Sequence, residues 1–130
     1  MSLAVVDTSA WISFFRGDSA AIRRIDPLLA VGSAAITGPI LAEVLSGAGS
    51  RAEFDRLRDL FQGLDRLADP PELWERIAEA RYALARKGHQ ASLVDLSIAL
   101  ACLDGGHTLV TRDRDFRAIA RVLPLELEVF

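Results

Sequence analysis

The sequence predicts an α/β/α sandwich, in which a central, mostly parallel sheet is flanked by helices on both faces. The first observation is that short apolar segments rich in β-branched residues alternate with stretches of helical periodicity, as βαβ crossovers require. The second is length, since 130 residues is typical of one domain. The third is composition, because 51% hydrophobic and 25% charged residues suit a protein with a buried core. We therefore expect one domain spanning residues 1–130.

The first half of the chain begins with a strand that leads into a polar cluster. Residues 3–6 are apolar and include two adjacent valines, and the strand that they predict ends at Asp7. Thr8 or Ser9 is expected to cap the next helix, which stops at Gly17. The pattern then predicts a helix over 20–30 that contains Pro27, a strand over 34–37, a helix entered at Pro39 and an amphipathic helix over 51–64.

The second half predicts three more strands and three more helices. A short strand over 65–68 precedes Pro70 and Pro71, which are expected to open a helix. The helix that begins at Ser92 is apolar nearly all round, so we expect it to be central. The chain then continues with a strand over 108–110, a helix over 116–122 and an edge strand over 125–130. The buried face of the helix after the prolines is predicted to carry Leu73, Trp74, Ile77, Ala80 and Leu84, with its end at Lys87 and Gly88.

Charge and cysteine content argue against several classes of protein. Eighteen acidic against fifteen basic residues give a net charge of −3, which disfavours binding to nucleic acid through bulk positive charge. The one cysteine, Cys102, forms neither an internal disulfide nor a multi-cysteine metal site, so we expect a cytoplasmic protein. The N-terminal residues lack the basic segment of a signal peptide, and glycine and proline interrupt the longest uncharged run, 27–42. We therefore expect a soluble protein with no membrane partner.

Four acidic residues are predicted to lie at one edge of the sheet. Asp7 directly follows the first strand and Asp113 follows the strand over 108–110, and sites in such folds form outside the carboxyl ends of the strands. Glu43 and Asp95 lie near the N-terminal ends of two helices that point to the same edge. Clustered carboxylates repel each other unless a cation neutralises them. The cluster therefore indicates a divalent cation, and oxygen-only ligands favour Mg²⁺ or Mn²⁺.

Each of these acids also has a purely structural interpretation. The S-x-x-D pattern that ends at Asp95 is typical of a helix-capping pair. Asp113 or Asp115 is in a position to cap the helix that starts at residue 116. Asp7 fits an ordinary turn, and Glu43 fits an exposed acid in the first turn of a helix, where the helix dipole favours it. Only the convergence of all four acids favours a functional site.

Four short motifs resemble those of a known family. They are Asp7-Thr8-Ser9 after an apolar strand, Glu43 in the helix after Pro39, the segment LVDLSIALA, and the segment LVTRDRDF. With these motifs the whole chain resembles a PIN-domain nuclease, in particular the VapC toxins of bacterial toxin–antitoxin pairs. The resemblance implies a PIN-like sandwich that hydrolyses RNA phosphodiester bonds with the help of Mg²⁺, for which Mn²⁺ is a possible substitute.

The resemblance also assigns roles to individual residues of this chain. It implies that Asp7, Asp95 and Asp113 bind the metal directly, and that Glu43 binds the metal or orients the attacking water. Asp115 matches a position that often assists. Ser9 and Thr111 match the small hydroxyl positions, from which they would orient the carboxylates through hydrogen bonds. Arg112 and Arg114 flank Asp113, so we expect them to contact RNA.

The expected partners follow from the same resemblance. It implies a VapB-like antitoxin, a homodimer, and a heterotetramer or larger assembly with the antitoxin. Trp11, Phe14 and Phe15 are predicted to be core residues, but partial exposure would make them a groove for an amphipathic antitoxin segment. The alternative function is a non-catalytic PIN-like binding module, and Mg²⁺-dependent cleavage of RNA distinguishes the two.

Overall fold

A computed structural model describes residues 2–130 and contains one five-stranded sheet. Its strands are β1 (Ala4–Val6), β2 (Ala34–Ile36), β3 (Asp65–Arg66), β4 (Thr108–Thr111) and β5 (Glu126–Val129). They lie in the order β3-β2-β1-β4-β5, and every neighbouring pair is parallel. This arrangement confirms the predicted fold class, with β5 as the edge strand that the sequence indicated.

Seven helices connect the strands within the described part of the chain. They are α1 (Thr8–Phe15), α2 (Ser19–Ala30), α3 (Gly38–Ser46), α4 (Arg51–Gln62), α5 (Leu73–Arg86), α6 (Leu93–Gly105) and α7 (Phe116–Ile119). The crossovers through α1 to α4 lead from β1 towards β3, whereas those through α5 to α7 lead back past β1 to β4 and β5. Because such crossovers are right-handed, the two sets of helices cover opposite faces of the sheet. None of the helices in residues 2–130 is long and apolar enough to cross a membrane.

The core lies between the sheet and the two helical layers. Strands β1 and β2 are buried along their whole length, as expected of central strands in a parallel sheet. On one face, Trp11 is fully buried and packs edge-on against Phe61 and Phe14. On the other face, α6 is the central helix, as predicted, because it is buried on most sides. Its buried residues are Leu96, Ile98, Ala99, Leu100, Ala101 and Cys102.

The start of α5 differs from the prediction. Pro70 and Pro71 do not open the helix, which begins at Leu73 after Glu72 in a left-handed conformation with φ 55°. The physical reason is that a residue before proline avoids the α conformation, so Pro71 keeps Pro70 out of a helix. The placement of Trp74 on the buried face was also wrong, because its side chain is 68% exposed.

The cap of α1 also differs from the prediction. Asp7 occupies the N-cap position, and neither Thr8 nor Ser9 does. Both hydroxyls are engaged elsewhere, since Thr8 donates to Glu43 and Ser9 donates to Asp7. The other elements match to within a few residues at their ends: α7 stops at Ile119 rather than at residue 122, and β3 stops at Arg66 rather than at residue 68.

Candidate active site

The strand order creates a crevice at the carboxyl ends of β1 and β4. Strand β1 has β2 on one side and β4 on the other, so the direction of the connections reverses there, and ligands bind at such points in open α/β sheets. Val6 is in register with Val110, and the amide of Asp7 donates to the Val110 carbonyl at 2.9 Å. Asp7 and Thr111 therefore leave the two strands side by side.

Two hydroxyl groups hold the carboxylate of Asp7. Ser9 Oγ and Thr111 Oγ1 each donate to Asp7 Oδ2 at 2.9 Å, and the two hydroxyl oxygens are 3.2 Å apart. Asp7 is 5% exposed and Thr111 is fully buried. No side chain or amide of residues 2–130 donates a hydrogen bond to Asp7 Oδ1. The hydroxyls therefore fix the carboxylate and leave one of its oxygens available to a ligand.

The same hydroxyls organise the turn after β4. The amide of Asp113 donates to Thr111 Oγ1 at 2.9 Å, and the amide of Arg112 donates to Ser9 Oγ at 3.1 Å. Asp113 Oδ1 in turn accepts from the amide of Asp115 at 2.9 Å, which makes a local turn before α7. Asp115 occupies the N-cap position of α7, but its side chain makes no capping bond. The turn thus ties Asp113 to the hydroxyls that hold Asp7.

Asp95 approaches from α6 the edge of the crevice at the carboxyl ends of β1 and β4, which we call the rim. It lies in the first turn of α6, where its amide donates to Ser92 Oγ at 3.0 Å. The serine cap therefore uses the backbone of Asp95. Burial, the negative charges of Asp7 and Asp113 and, to a smaller extent, that of Glu43 together raise the pKa of the Asp95 carboxyl to about 6, against a hydrogen bond with Ser92 that lowers it. The four predicted acids therefore share one electrostatic environment.

Glu43 lies on the exposed side of this environment. It is in the second turn of α3, whose first turn contains no acidic residue, so the interpretation as a first-turn acid held by the helix dipole was wrong. Its Oε1 accepts a hydrogen bond from Thr8 Oγ1 at 2.9 Å. This bond joins α3 to the start of α1 beside Asp7.

The donor atoms at this rim suit a hard divalent cation. All four side chains offer carboxylate oxygens, which are ligands that Mg²⁺ and Mn²⁺ prefer. Within residues 2–130, no three acidic, histidine or cysteine side chains lie close enough together to hold a metal as they stand. Like charges separate when nothing neutralises them, and the pKa of Asp95 is raised first by burial and then by the neighbouring charges of Asp7 and Asp113. The residues therefore fit a cation chemically, and binding requires the carboxylates to draw together.

Comparison with known proteins identifies the family. The family model for the PIN domain matches residues 4–122. The chain belongs to the PIN-domain family. Two curated relatives of the chain are a VapC ribonuclease of Mycobacterium bovis and ribonuclease VapC11 of Mycobacterium tuberculosis. Each is 34% identical to this chain over 98% of its length and 99% of the relative's length.

Solved structures share the PIN fold over nearly the whole chain. VapBC2 from Rickettsia felis, bound to a DNA fragment from its promoter, has a TM-score of 0.77 at 21% identity and covers 98% of both chains. VapBC-1 from nontypeable Haemophilus influenzae has a TM-score of 0.77 at 20% identity, covering 98% of this chain and 97% of that one. These two structural similarities support the fold. The assignment to the PIN-domain family is based on the sequence matches.

The two arginines beside Asp113 have different surroundings in this PIN domain. Arg112 Nη1 donates to Asp18 Oδ2 at 2.6 Å, and its guanidinium lies 4.9 Å from the centre of the Phe130 ring. Arg114 is exposed and makes no ion pair within residues 2–130. Sequence reasoning missed Asp18, because 94 positions separate it from Arg112 and no local pattern connects the two.

An apolar groove runs along α1 next to the rim. Of the three aromatic residues predicted to be core, Trp11 is fully buried, Phe14 is half-buried and Phe15 is 41% exposed. Together with Ile12, also 41% exposed, Phe15 lines a groove of about 260 Å³. The other lining residues are Arg16, Glu43, Val44, Gly47, Glu53 and Leu57. Phe14 and Phe15 are therefore partly exposed, as the predicted groove on α1 requires. Glu43 lies both in this groove and at the rim.

Proposed function

We propose that this PIN-domain protein is the toxin of a toxin–antitoxin pair and an Mg²⁺-dependent endoribonuclease that acts in the cytoplasm. One observation carries the proposal, which is that the half-buried Asp95 carboxyl lies among the charges of Asp7, Asp113 and Glu43 at the carboxyl ends of the strands. Keeping like charges together costs free energy, and a bound cation offsets that cost. The similarity to VapC ribonucleases supports RNA as the substrate.

Asp7, Asp95 and Asp113 are the residues that would hold Mg²⁺, with Mn²⁺ as a substitute. When bound, the cation lowers the pKa of water and neutralises charge that develops on the phosphate oxygens. Asp7 offers its free Oδ1, because both hydrogen bonds from hydroxyl groups go to Oδ2. Asp113 offers Oδ2, because the Asp115 amide occupies Oδ1. The remaining acid, Glu43, binds the metal or orients the attacking water.

The other side chains of the rim position these acids and the RNA. Ser9 and Thr111 prevent the Asp7 carboxylate from rotating, which lowers the cost of placing it at a ligand. Thr8 holds Glu43 from the side of α1. Exposed Arg114 is available to pair with a phosphate of the RNA. The net charge of −3 fits this arrangement, because substrate would be held by the cation and a few arginines instead of a broad basic surface.

The groove beside α1 is the proposed site of a VapB-like antitoxin. Its floor is apolar at Ile12, Phe15 and Leu57, which suits the apolar face of an amphipathic segment. Glu43 lines the groove, so a segment bound there would lie next to the acids and would hinder access of RNA. We further propose a homodimer that forms a heterotetramer or larger assembly with the antitoxin, and the similarity of the fold to the chains of VapBC structures supports such a partner.

Cleavage assays with purified protein test the function. We expect RNA to be cleaved in Mg²⁺ and not in excess EDTA, and we expect Asp95→Asn to abolish cleavage. Asp104→Asn is the matched control, because Asp104 lies at the far end of the same helix and pairs with Arg76 at 2.6 Å. Binding of RNA without any Mg²⁺-dependent cleavage would favour the alternative, a non-catalytic binding module. Equal cleavage by the wild type and Asp95→Asn would contradict the proposed site.

A further inference from the structure

Arg112 lies between two residues of the proposed site and contacts three separate parts of the chain. Its amide donates to Ser9 Oγ at 3.1 Å, its Nη1 donates to Asp18 Oδ2 at 2.6 Å, and its guanidinium stacks at 4.9 Å from the Phe130 ring centre. The side chain is only 32% exposed. The charge of the guanidinium is therefore already paired with the Asp18 carboxylate, and the Phe130 ring covers one of its faces.

The groups that Arg112 contacts are themselves fixed. Asp18 caps α2, since its Oδ2 also accepts from the Ala21 amide at 3.0 Å, and its own amide donates to the Ser13 carbonyl at 3.0 Å. The amide of Phe130 donates to the Thr111 carbonyl at 3.0 Å, which continues the pairing of β4 with β5. The guanidinium is therefore held between a helix N-terminus and the end of an edge strand.

The inner side of the same segment carries the site. Thr111 donates to the carboxylate of Asp7 and accepts from the amide of Asp113. The side chain of Arg112 points away from these contacts, towards Asp18 and Phe130. Holding the segment from both sides fixes where Thr111 and Asp113 lie relative to Asp7.

We propose that Arg112 is a positioning residue, whose pairing with Asp18 holds Thr111 and Asp113 against Asp7, and that it does not bind RNA. This inference rests on the proposed function, since the position that it sets is that of the metal-binding acids. It replaces the expectation that both arginines contact RNA, and it leaves that role to Arg114. Asp18, 94 positions away, thereby becomes part of the machinery that supports the site.

A second ion pair provides a matched control. Arg24 of α2 donates to Glu128 of β5 through two nitrogens, one of them Nη2 at 2.9 Å from Oε1. The side chains of Arg24 and Glu128 are 32% and 39% exposed, which matches the 32% and 40% of Arg112 and Asp18. Both pairs involve α2, but the Arg24 and Glu128 side chains bond to each other and donate or accept no hydrogen bond with a side chain of residues 111–113. Removing it measures the effect of losing such an ion pair without disturbing the site.

The decisive variant is Asp18→Asn, because asparagine still caps a helix but does not pair as an anion with Arg112. We expect Asp18→Asn and Arg112→Ala each to lower kcat for RNA cleavage about 10- to 100-fold at unchanged KM, the usual loss for residues that orient metal ligands. The double variant should be no worse than either single variant. Arg112→Lys should recover only part of the rate, since lysine lacks the planar fork. Arg24→Ala should keep the wild-type kcat.

If Arg112 instead bound RNA, Asp18→Asn would release it for that purpose and would lower KM. A lowered KM in Asp18→Asn, or a raised KM with unchanged kcat in Arg112→Ala, would overturn the proposal. An equal loss of kcat in Arg24→Ala would overturn it too, because the effect would then be one of general stability.

The rise in Tm on adding Mg²⁺ is a second readout that does not need cleavage. We expect this rise to be smaller in Asp18→Asn than in the wild type and in Arg24→Ala, because weaker metal binding gives less stabilisation. An unchanged rise in Asp18→Asn would overturn the positioning role even if the wild type proved unable to cleave RNA. Absence of cleavage by the wild type would instead count against the proposed function.

Discussion

The two halves of the candidate site hold their carboxylates in different ways. In the half formed by β1 and β4, Asp7 accepts from two hydroxyls, and Asp113 is tied through its amide to one of them. In the half formed by α6, the capping serine bonds to the amide of Asp95. Burial and the charges of Asp7, Asp113 and Glu43 raise the pKa of the Asp95 carboxyl to about 6, although a hydrogen bond with Ser92 opposes the rise. The protein alone therefore organises the first half, whereas the second half is electrostatically unfavourable without a bound cation.

The largest effect on RNA cleavage is expected from removing the carboxylate of Asp7 or that of Asp95. We expect Asp7→Asn and Asp95→Asn each to lower the rate of Mg²⁺-dependent RNA cleavage more than about 100-fold, because even residues that only orient metal ligands contribute about 10- to 100-fold. Initial rates on a defined RNA, with each protein shown to be folded by circular dichroism, provide the measurement. A loss in only one of the two variants would mean that the two halves do not act on the same cation.

The next effect separates the two serines that contact the aspartates. Ser9→Ala removes a hydrogen bond to the carboxylate of Asp7, so it should reduce the activity or Mg²⁺ affinity about 10- to 100-fold. Ser92→Ala removes a helix cap, so it should cost about 1 kcal/mol in the free energy of unfolding. Urea unfolding and cleavage rates, measured on both variants, check the pair. Full activity in Ser9→Ala would contradict the role of the Ser9 hydroxyl in orienting the Asp7 carboxylate.

The pH dependence of stability without metal tests the α6 half. The folded-state pKa of Asp95 is raised from 3.8 to about 6, so the folded protein keeps its proton between these pH values while the unfolded chain releases it. Stability should therefore fall as the pH rises from about 4 to about 6, by on the order of 2 kcal/mol once solvent screening of this half-buried carboxyl is allowed for. Asp95→Asn should lack this fall and should have the higher Tm at pH 7 in EDTA.

Urea unfolding of the wild type and Asp95→Asn at several pH values, with EDTA present, measures the difference directly. Titrating groups that do not interact with Asp95 are common to both proteins and cancel in the comparison. If the two proteins lost stability in parallel from pH 4 to pH 6, the pKa of Asp95 would not be raised in the folded protein.

The smallest effect is expected at the exposed contact of the rim. Thr8→Val removes the hydrogen bond to Glu43, and a typical hydrogen bond contributes about 1 kcal/mol, with less expected at an exposed position. We therefore expect a loss of less than about tenfold in cleavage rate, well below that of Ser9→Ala. A Thr8→Val rate as low as that of Ser9→Ala would show that Glu43 needs to be held as firmly as Asp7.

The fold was largely predictable because hydrophobic periodicity and chain breakers act locally. The alternation of apolar runs and helical stripes gave the strand and helix order, and Ser92 marked the start of α6. Trp74 shows the limit of this reasoning. It lies next to Leu73 at the start of α5, and periodicity alone does not separate the two, yet Trp74 is 68% exposed. Only the packing of neighbouring helices decides which side of a helix is covered.

The site was predictable as far as it follows from topology. Parallel strands end at one edge, which was sufficient to bring Asp7 and Asp113 together, and helix starts added Asp95. The contacts that hold these acids are long-range, such as Thr111 with Asp7 and Arg112 with Asp18. Hydrogen bonds between residues about one hundred positions apart leave no mark in local patterns. The sequence therefore indicated which acids gather but not what Arg112 does.

The titration of the Asp95 carboxyl with and without Mg²⁺, followed by carbon NMR, tests whether Asp7, Asp95 and Asp113 form one metal site. Without metal, we expect the Asp95 titration to have its midpoint near pH 6, because burial and the neighbouring charges of Asp7 and Asp113 favour the protonated carboxyl. With saturating Mg²⁺, the midpoint should fall below the ordinary value of 3.8, because a bound cation favours the charged carboxylate. A midpoint that stays near pH 6 in saturating Mg²⁺ would contradict the claim that these acids form one metal site.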